Sequence, residues 1–281
     1  MTLRRIGFAY NPTKPEAHAL RERAARWCAV RTIEQWAAEA ADTDTIVANL
    51  ATTDVLVVLG GDGTFLRAAR AVAEVDVPLL GVNIGKVGFL SKAEADDLEP
   101  VLQQIVHGST RIEQRMALRA TIRPAGGEPA GPEHTALNDV VIARGSLVRV
   151  VRLDVSIDHS HLATFISDGL VVASPTGSTG YSFSAGGPIL DPASRNLVVT
   201  PIAGYLSALR SIVVGPQQVV RCRIVEAEEA LLSIDGREDL PVAVGDIVEV
   251  SALERPIRFV EPETALPFWD LLRQKVELLP S

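Results

Sequence analysis

The run Val55-Leu56-Val57-Val58-Leu59 passes without a break into Gly60-Gly61-Asp62-Gly63-Thr64. A short apolar, β-branched run of this kind is a buried strand. The residues that follow, Phe65 through Val72, read as a helix, so the glycines fall on a strand-to-helix turn. Three glycines around one aspartate leave the turn little bulk and wide backbone freedom. The N–H groups that begin a helix have no intrahelical partner and can face an anion such as a phosphate. Asp62 is the only group in the turn able to accept a proton. A carboxylate beside a phosphate cradle points to phosphoryl transfer onto a hydroxyl. An ordinary turn with Thr64 as a helix cap accounts for the same residues more blandly. The stretch is neither a Walker loop nor the dinucleotide fingerprint, because it lacks the lysine of the first and the third glycine of the second.

Around this turn the pattern alternates. Residues 5–11 read as a first strand ended by Asn11-Pro12, and residues 16–27 as a helix with Ala17, Leu20, Ala24 and Trp27 on one side. Residues 30–50 are alanine-rich and ambiguous. Residues 77–83 are another buried strand, and 98–106 a helix with Leu98, Val101, Leu102, Ile105 and Val106 on one face. Strands alternating with helices predict a parallel sheet wrapped by helices, with ligands beyond the carboxyl ends of the strands. The turns after Leu59 and Val82 both lie at that edge.

Near residue 108 the period changes. Ile112, Met116, Leu118, Ala120 and Ile122 alternate with charged residues, which predicts one half-exposed strand. Further strands are expected at 137–143, at 151–157 with Val151, Leu153, Val155 and Ile157 inward, and at 169–173, 197–201, 219–224, 231–234 and 246–250. Closely spaced strands without helices predict an antiparallel sandwich-like domain. The stretch from Gly126 to Pro132 reads as an exposed loop. The end turns helical again, with Phe268, Leu272, Val276 and Leu279 on one stripe. The expected fold is thus α/β plus β: a Rossmann-like domain at 1–107, a mainly antiparallel β domain at 108–260, and a 261–281 segment whose helix returns to the first domain.

Composition excludes several classes. A net charge of −8 argues against a nucleic-acid surface, though not against a nucleotide substrate held by local groups. No apolar run approaches the roughly 18 residues of a membrane span. The N-terminus enters a strand too soon for a signal peptide. Cys28 and Cys222 are far apart and unpatterned, which fits a reducing, cytoplasmic setting and leaves no zinc site built from cysteines. His159 and His161 beside Asp158 read as a turn between strands rather than a metal site.

Ser174 through Pro188 forms a second glycine-rich stretch after the strand led by Asp168-Gly169-Leu170. Its small hydroxyl residues and glycines allow close approach of backbone to a ligand. Tyr181 offers a flat face to an aromatic base. A flexible polar linker is the bland alternative, but the flanking runs look buried and the segment holds Tyr181 and Phe183.

Four motifs together carry a resemblance. They are Gly60-Gly61-Asp62-Gly63-Thr64, Gly81-Val82-Asn83-Ile84-Gly85-Lys86-Val87-Gly88-Phe89-Leu90, Leu137-Asn138-Asp139-Val140-Val141-Ile142, and Asp168 through Pro188. In this order they resemble the NAD kinases, a branch of the superfamily that also holds lipid kinases and phosphofructokinases. The likeness runs over roughly three quarters of the chain, and four ordered motifs are far more specific than one. It implies that Asp62 contacts the adenosine ribose of NAD and acts as base toward its 2′-hydroxyl, with Gly63 against phosphate. It implies NAD contacts at Asn138, Asp139, Asp168, Thr179, Gly180, Tyr181, Ser182, Phe183 and Ser184, with Tyr181 near an adenine. Asp235-Gly236-Arg237 resembles a late family motif in which Arg237 replaces the usual Gln and approaches the nucleotide. Arg149 sits at a more variable contact.

Gly60, Gly61, Gly63 and Thr64 are expected at the donor phosphates. Arg67 and Arg70 either reach those phosphates or line a solvated face, and Lys86 leans toward a phosphate. The donor is ATP or polyphosphate. Mg²⁺ is expected with the nucleotide, held by phosphates and water, with no separate metal cage in the chain. The resemblance also implies a homodimer or homotetramer. The chain departs from the family at Thr200-Pro201-Ile202-Ala203-Gly204-Tyr205-Leu206-Ser207, where the usual Pro-His is absent, and at Ile166, where Arg or Lys is common. A lipid kinase of the same superfamily, which the second glycine-rich stretch speaks against, and a non-catalytic NAD-binding protein are the competing readings.

Overall fold

The computed structural model describes residues 3–85, 88–127, 130–146, 149–205, 209–237 and 239–277. The chain divides into two compact units, one of residues 1–114 with 257–281, the other of residues 115–256.

The first unit is built on a sheet whose strands run in the order Glu34–Glu39, Arg5–Tyr10, Val55–Leu59, Leu79–Asn83, Ile257–Glu261, Arg111–Arg115, with the short Ala93–Glu94 strand paired beside Asn83. The pairings among the first five are parallel. Val55–Leu59 and Leu79–Asn83 are buried along their whole length, as central strands of a covered sheet must be. Helices Pro15–Val30 and Leu98–His107 bury the expected faces, Ala17, Leu20, Ala24 and Trp27 in one and Leu98, Val101, Leu102 and Ile105 in the other. The ambiguous stretch resolves into the Glu34–Glu39 strand and the Thr43–Leu50 helix. That strand lies at the sheet edge with only Ala38 buried, so it carries no hydrophobic alternation to read.

The single strand expected over residues 112–122 is two strands in different sheets. Arg111–Arg115 closes the first sheet, and Leu118–Arg123 belongs to the second unit. In the first of them the expected faces are reversed: Ile112 is exposed and Arg115 is buried. The half-buried polar side is taken up by charge pairing. Lys92 Nζ lies 2.9 Å from Glu113 and 3.2 Å from Glu261, with its side chain almost wholly out of water. Through the Lys92 ammonium this pairing ties the strand that enters the first unit last, Ile257–Glu261, to Arg111–Arg115.

The second unit is a sandwich of two antiparallel six-stranded sheets. One has the order Ser160–Ser167, Val151–Ile157, Val220–Glu226, Ile247–Ala252, Leu118–Arg123, His134–Ala136. The other has the order Ile212–Val214, Leu197–Ile202, Gly169–Ala173, Asp139–Arg144, Ala230–Ile234, Asp239–Val242. A single core takes Leu118, Ala120, Val151, Leu153, Val155, Val220 and Ile224 from the first and Val140, Ile142, Leu170, Val172, Leu197 and Leu232 from the second.

The C-terminal helix, Phe268–Glu277, belongs to the first unit, where Phe268 stacks at 6.2 Å on Phe89. Leu271, off the expected stripe, is its buried leucine, and Leu279 lies outside the described residues.

Lys92→Met removes the buried cation that Glu113 and Glu261 share and leaves Glu261 with the exposed Arg111 at 3.3 Å. The expected cost is about 3 kcal/mol of stability, read as a lowered midpoint in urea unfolding. An unchanged midpoint would show that the cluster does not hold the Ile257–Glu261 strand.

Candidate active site

Asp62 is the first residue of the Asp62–Val72 helix, and Gly61, not Thr64, caps it. Its carboxylate is fixed from across the sheet edge: Oδ2 accepts the N–H of Phe89 at 3.0 Å and Oδ1 that of Leu90 at 3.2 Å. Each oxygen keeps lone-pair capacity for a further donor. The two glycine-bearing loops therefore meet, as their common position at the strand ends predicts. They meet closely enough that Gly88 has no room for a side chain, since a Cβ there would lie 1.9 Å from Asp62 Oδ1. Gly60 is just as confined, with a Cβ position 2.5 Å from Thr64 Oγ1, whereas Gly61 faces open space. Gly63 and Arg67 are exposed and Thr64 is buried. The cradle thus offers the open Gly61, the first-turn N–H groups and one oriented carboxylate. Lys86 lies outside the described residues.

The second unit gathers a different set. The backbone of Leu137, Asn138 and Asp139 is gripped on both sides. The Asp235 carboxylate accepts their three N–H groups at 3.0, 2.7 and 3.2 Å. Ser174 donates its hydroxyl to the Leu137 carbonyl at 2.5 Å and its N–H to the Asn138 carbonyl at 2.8 Å. Gly177 packs against that same carbonyl so closely that a Cβ would fall 2.1 Å from it. Asp139 is buried, and that burial, with the Asp235 charge beside it, pushes its carboxyl up to about 7.

The segment after Ser174 is ordered, not a linker. It forms a 3₁₀ turn at Thr176–Thr179 and one helical turn at Tyr181–Ser184. Many of its hydroxyls serve the segment itself. Ser178 donates to the Pro175 carbonyl and receives the Leu190 N–H. Ser182, expected to grip ligand, is fully buried with its hydroxyl 3.4 Å from that of Thr200. Tyr181, Phe183 and Ser184 are exposed, and Thr179 and Gly180 are half-buried.

Asp168 stands apart from Asn138 and Asp139. The antiparallel register sets Gly169 beside Ala143 and Ala173 beside Asp139, so Asp168 and Asp139 lie at opposite ends of one strand pair, about 17 Å apart along it. Asp168 is held by a two-point ion pair to Arg144, at 2.9 and 3.2 Å. Arg144 carried no sequence signal, because only the register brings it to Asp168. Arg149 is exposed and 3.3 Å from Glu228, and Arg237 is half-buried past the Asp235-Gly236 turn. His161 pairs with Asp154 at 2.6 Å. No cluster of three metal-ligating side chains occurs among the described residues.

Two family models match in tandem: the ATP-NAD kinase N-terminal domain over residues 7–110 and the ATP-NAD kinase C-terminal domain over 137–262. An NAD kinase of Heliobacterium modesticaldum is 36% identical over 97% of this chain and 98% of its own length. This chain belongs to the NAD kinase family.

An NAD kinase of Moorella thermoacetica is 42% identical over 79% of this chain and 70% of its own. Among solved structures, yeast NADH kinase complexed with NADH superposes with a TM-score of 0.86 at 23% identity, covering 100% of this chain and 89% of that one. An Archaeoglobus fulgidus NAD kinase in complex with ATP gives 0.79 at 24% identity, covering 98% and 100%. At those identities the likeness is one of fold. The lipid-kinase alternative falls, because the matching models and the relatives named here are all NAD kinases.

Two expectations follow for an NAD kinase with this geometry. Gly88→Ala forces the Asp62 carboxylate to move by roughly an ångström, and a misplacement of that size costs about 10²-fold in turnover. The check is the rate of NADP formation alongside the thermal midpoint; an unaltered rate would mean the carboxylate tolerates displacement. The second concerns Asp139. Its carboxyl ordinarily titrates at 3.8 and here at about 7. A raised folded-state value contributes stability that is complete below pH 4 and is lost as the pH climbs through 7. Asp139→Asn, which stays neutral, should gain on the parent as pH rises over that window, by at most about 4 kcal/mol. Urea midpoints of both proteins at pH 4.5 and 8 measure it, and a constant difference would overturn the assignment.

Proposed function

We propose that this chain phosphorylates the 2′-hydroxyl of the adenosine ribose of NAD, using ATP or polyphosphate, to give NADP. The observation that carries the reading is the Asp62 carboxylate, fixed by the Phe89 and Leu90 N–H groups beside the unobstructed Gly61. Held this way, Asp62 accepts the 2′-hydroxyl proton as the oxygen attacks the terminal phosphorus. The new O–P bond forms as the bridging P–O bond of the donor breaks, and the proton passes from Asp62 to solvent. The N–H groups at the start of the Asp62–Val72 helix offset the charge on the donor phosphates, and Arg67, exposed one turn along, is within the same region of the helix. Asp62 is the only carboxylate in the cradle and both its oxygens hold backbone N–H groups, so this donor set suits Mg²⁺ carried mainly by phosphate. Such an ion, when bound, neutralises charge on the moving phosphoryl group.

On this reading Asn138 and Asp139, with Thr179, Gly180, Tyr181, Phe183 and Ser184, contact NAD, and Tyr181 supplies its exposed ring to a base. Asp168 with Arg144, at the far end of the strand pair, meets a different part of the same long ligand, and Arg237 approaches it from the Asp235 turn. Arg149, on Glu228, is a peripheral contact. A homodimer or homotetramer in the cytoplasm completes the reading. The oligomer rests on the family resemblance alone, and the reducing compartment on two buried free thiols.

The test is NADP formation from NAD, ATP and Mg²⁺, with polyphosphate in parallel, by the parent and by Asp62→Asn. The parent should form NADP with one donor or both. The variant should keep NAD affinity by calorimetry and lose about 10²–10⁴-fold in turnover. No product from the parent with either donor would sink the reading, and full turnover by the variant would remove Asp62 from the chemistry.

A further inference from the structure

Asp235 opens a hairpin. It and Gly236 both have positive φ, 52° and 66°, and the Arg237 N–H closes onto the Ile234 carbonyl between the strands Ala230–Ile234 and Asp239–Val242. Asp-Gly in such a turn is the ordinary choice of hairpins, and nothing more is needed to explain the pair. In an ordinary hairpin, however, the aspartate lies at the tip and in water. Here it is only 8% exposed, and its two oxygens take three backbone N–H groups from Leu137, Asn138 and Asp139, about a hundred residues away in the chain. Its own N–H donates to the Asp139 carbonyl at 3.0 Å. The residues so held come just before the Asp139–Arg144 strand and at its start, where backbone N–H groups have no ladder partner and would otherwise be buried unmet.

We propose that Asp235 is a positioning residue for nucleotide binding, fixing through these three bonds the direction in which Asn138 and Asp139 present their side chains. The Ser174 hydroxyl and N–H hold the carbonyls of two of these residues, Leu137 and Asn138, from the other side. The segment therefore cannot rotate about its peptide planes while both grips are intact. Ser174 also accepts the Gly177 N–H at 3.2 Å, so the 3₁₀ turn of the glycine-rich segment is built on the same fixed backbone. Asp235 itself contacts no ligand in this scheme. A carboxylate is suited to the task because it offers two acceptor oxygens in one plane with lone pairs to spare for three donors. Asparagine offers one acceptor oxygen and accepts the left-handed backbone, so it should support part of the arrangement.

The proposal rests on Asn138 and Asp139 meeting NAD, and the experiment separates the two ideas. Full-length Asp235→Ala, Asp235→Asn and Asn138→Ala are compared with the parent for the KM of NAD, for kcat, and for hydrogen exchange at the Leu137 and Asn138 amides. Asp235→Ala should exchange these amides at least about tenfold faster and raise the KM about tenfold while kcat changes by less than about threefold, the signature of lost uniform binding. Asp235→Asn should fall between it and the parent. Faster exchange with an unchanged KM, while Asn138→Ala raises the KM, overturns the role of Asp235 and leaves the nucleotide site standing. An unchanged KM in Asn138→Ala overturns the nucleotide contact there and this proposal with it. If Asp235→Ala does not fold, Asp235→Asn decides, and a parental KM in that variant counts against the proposal.

Discussion

Backbone N–H groups that fall outside the ladders must find acceptors, and at two irregular stretches of this protein a carboxylate supplies them. Asp62 takes the N–H groups of Phe89 and Leu90, and Asp235 takes those of Leu137, Asn138 and Asp139. Leaving such groups unmet in the interior costs about 1–3 kcal/mol each, so both contacts are strongly selected by the fold itself. Each also fixes an irregular stretch that no regular element could hold. A side chain that satisfies backbone in this way is immobilised in turn, and an immobilised carboxylate with spare lone pairs is what proton transfer at a defined atom requires.

The first of these contacts is backed by the end of the chain. Phe89, whose N–H meets Asp62, carries its ring to Phe268 on the C-terminal helix, and Lys275 lies 5.0 Å over the same ring. The strand before that helix, Ile257–Glu261, pairs with Leu79–Asn83, and Phe259 packs at 4.8 Å on Phe65 of the Asp62–Val72 helix. Lys92 bridges Glu261 to Glu113. Residues far apart in sequence thus converge behind the loop that orients Asp62, and the cradle's geometry depends on a segment lying almost two hundred residues downstream.

Much of this was open to sequence reading. The buried strands at Val55–Leu59 and Leu79–Asn83, the Leu98–His107 helix and the alternation of Val151, Leu153 and Val155 were legible because each buries one continuous face. The edge strand Glu34–Glu39 was not, since it buries almost nothing. Residues 111–123 misled because two strands of different sheets follow each other with only two residues between them, and the first turns its charged side inward toward Lys92. The burial of Ser182 was not legible for a related reason: a polar-looking run does not show that one of its hydroxyls lies buried beside Thr200.

Residue order and local pattern were enough for the buried strands and one-faced helices, the glycine turns at the strand ends and, through four ordered motifs, the family. Those follow from local periodicity, steric freedom and residue order, which a linear chain displays. The folded chain was needed to see what Asp62 and Asp235 are bonded to, that Arg144 faces Asp168, that Asp139 lies buried beside a second carboxylate, and that Asp168 stands a strand's length from it. These depend on sheet register and on contacts between distant segments, and neither is written in any local stretch of residues.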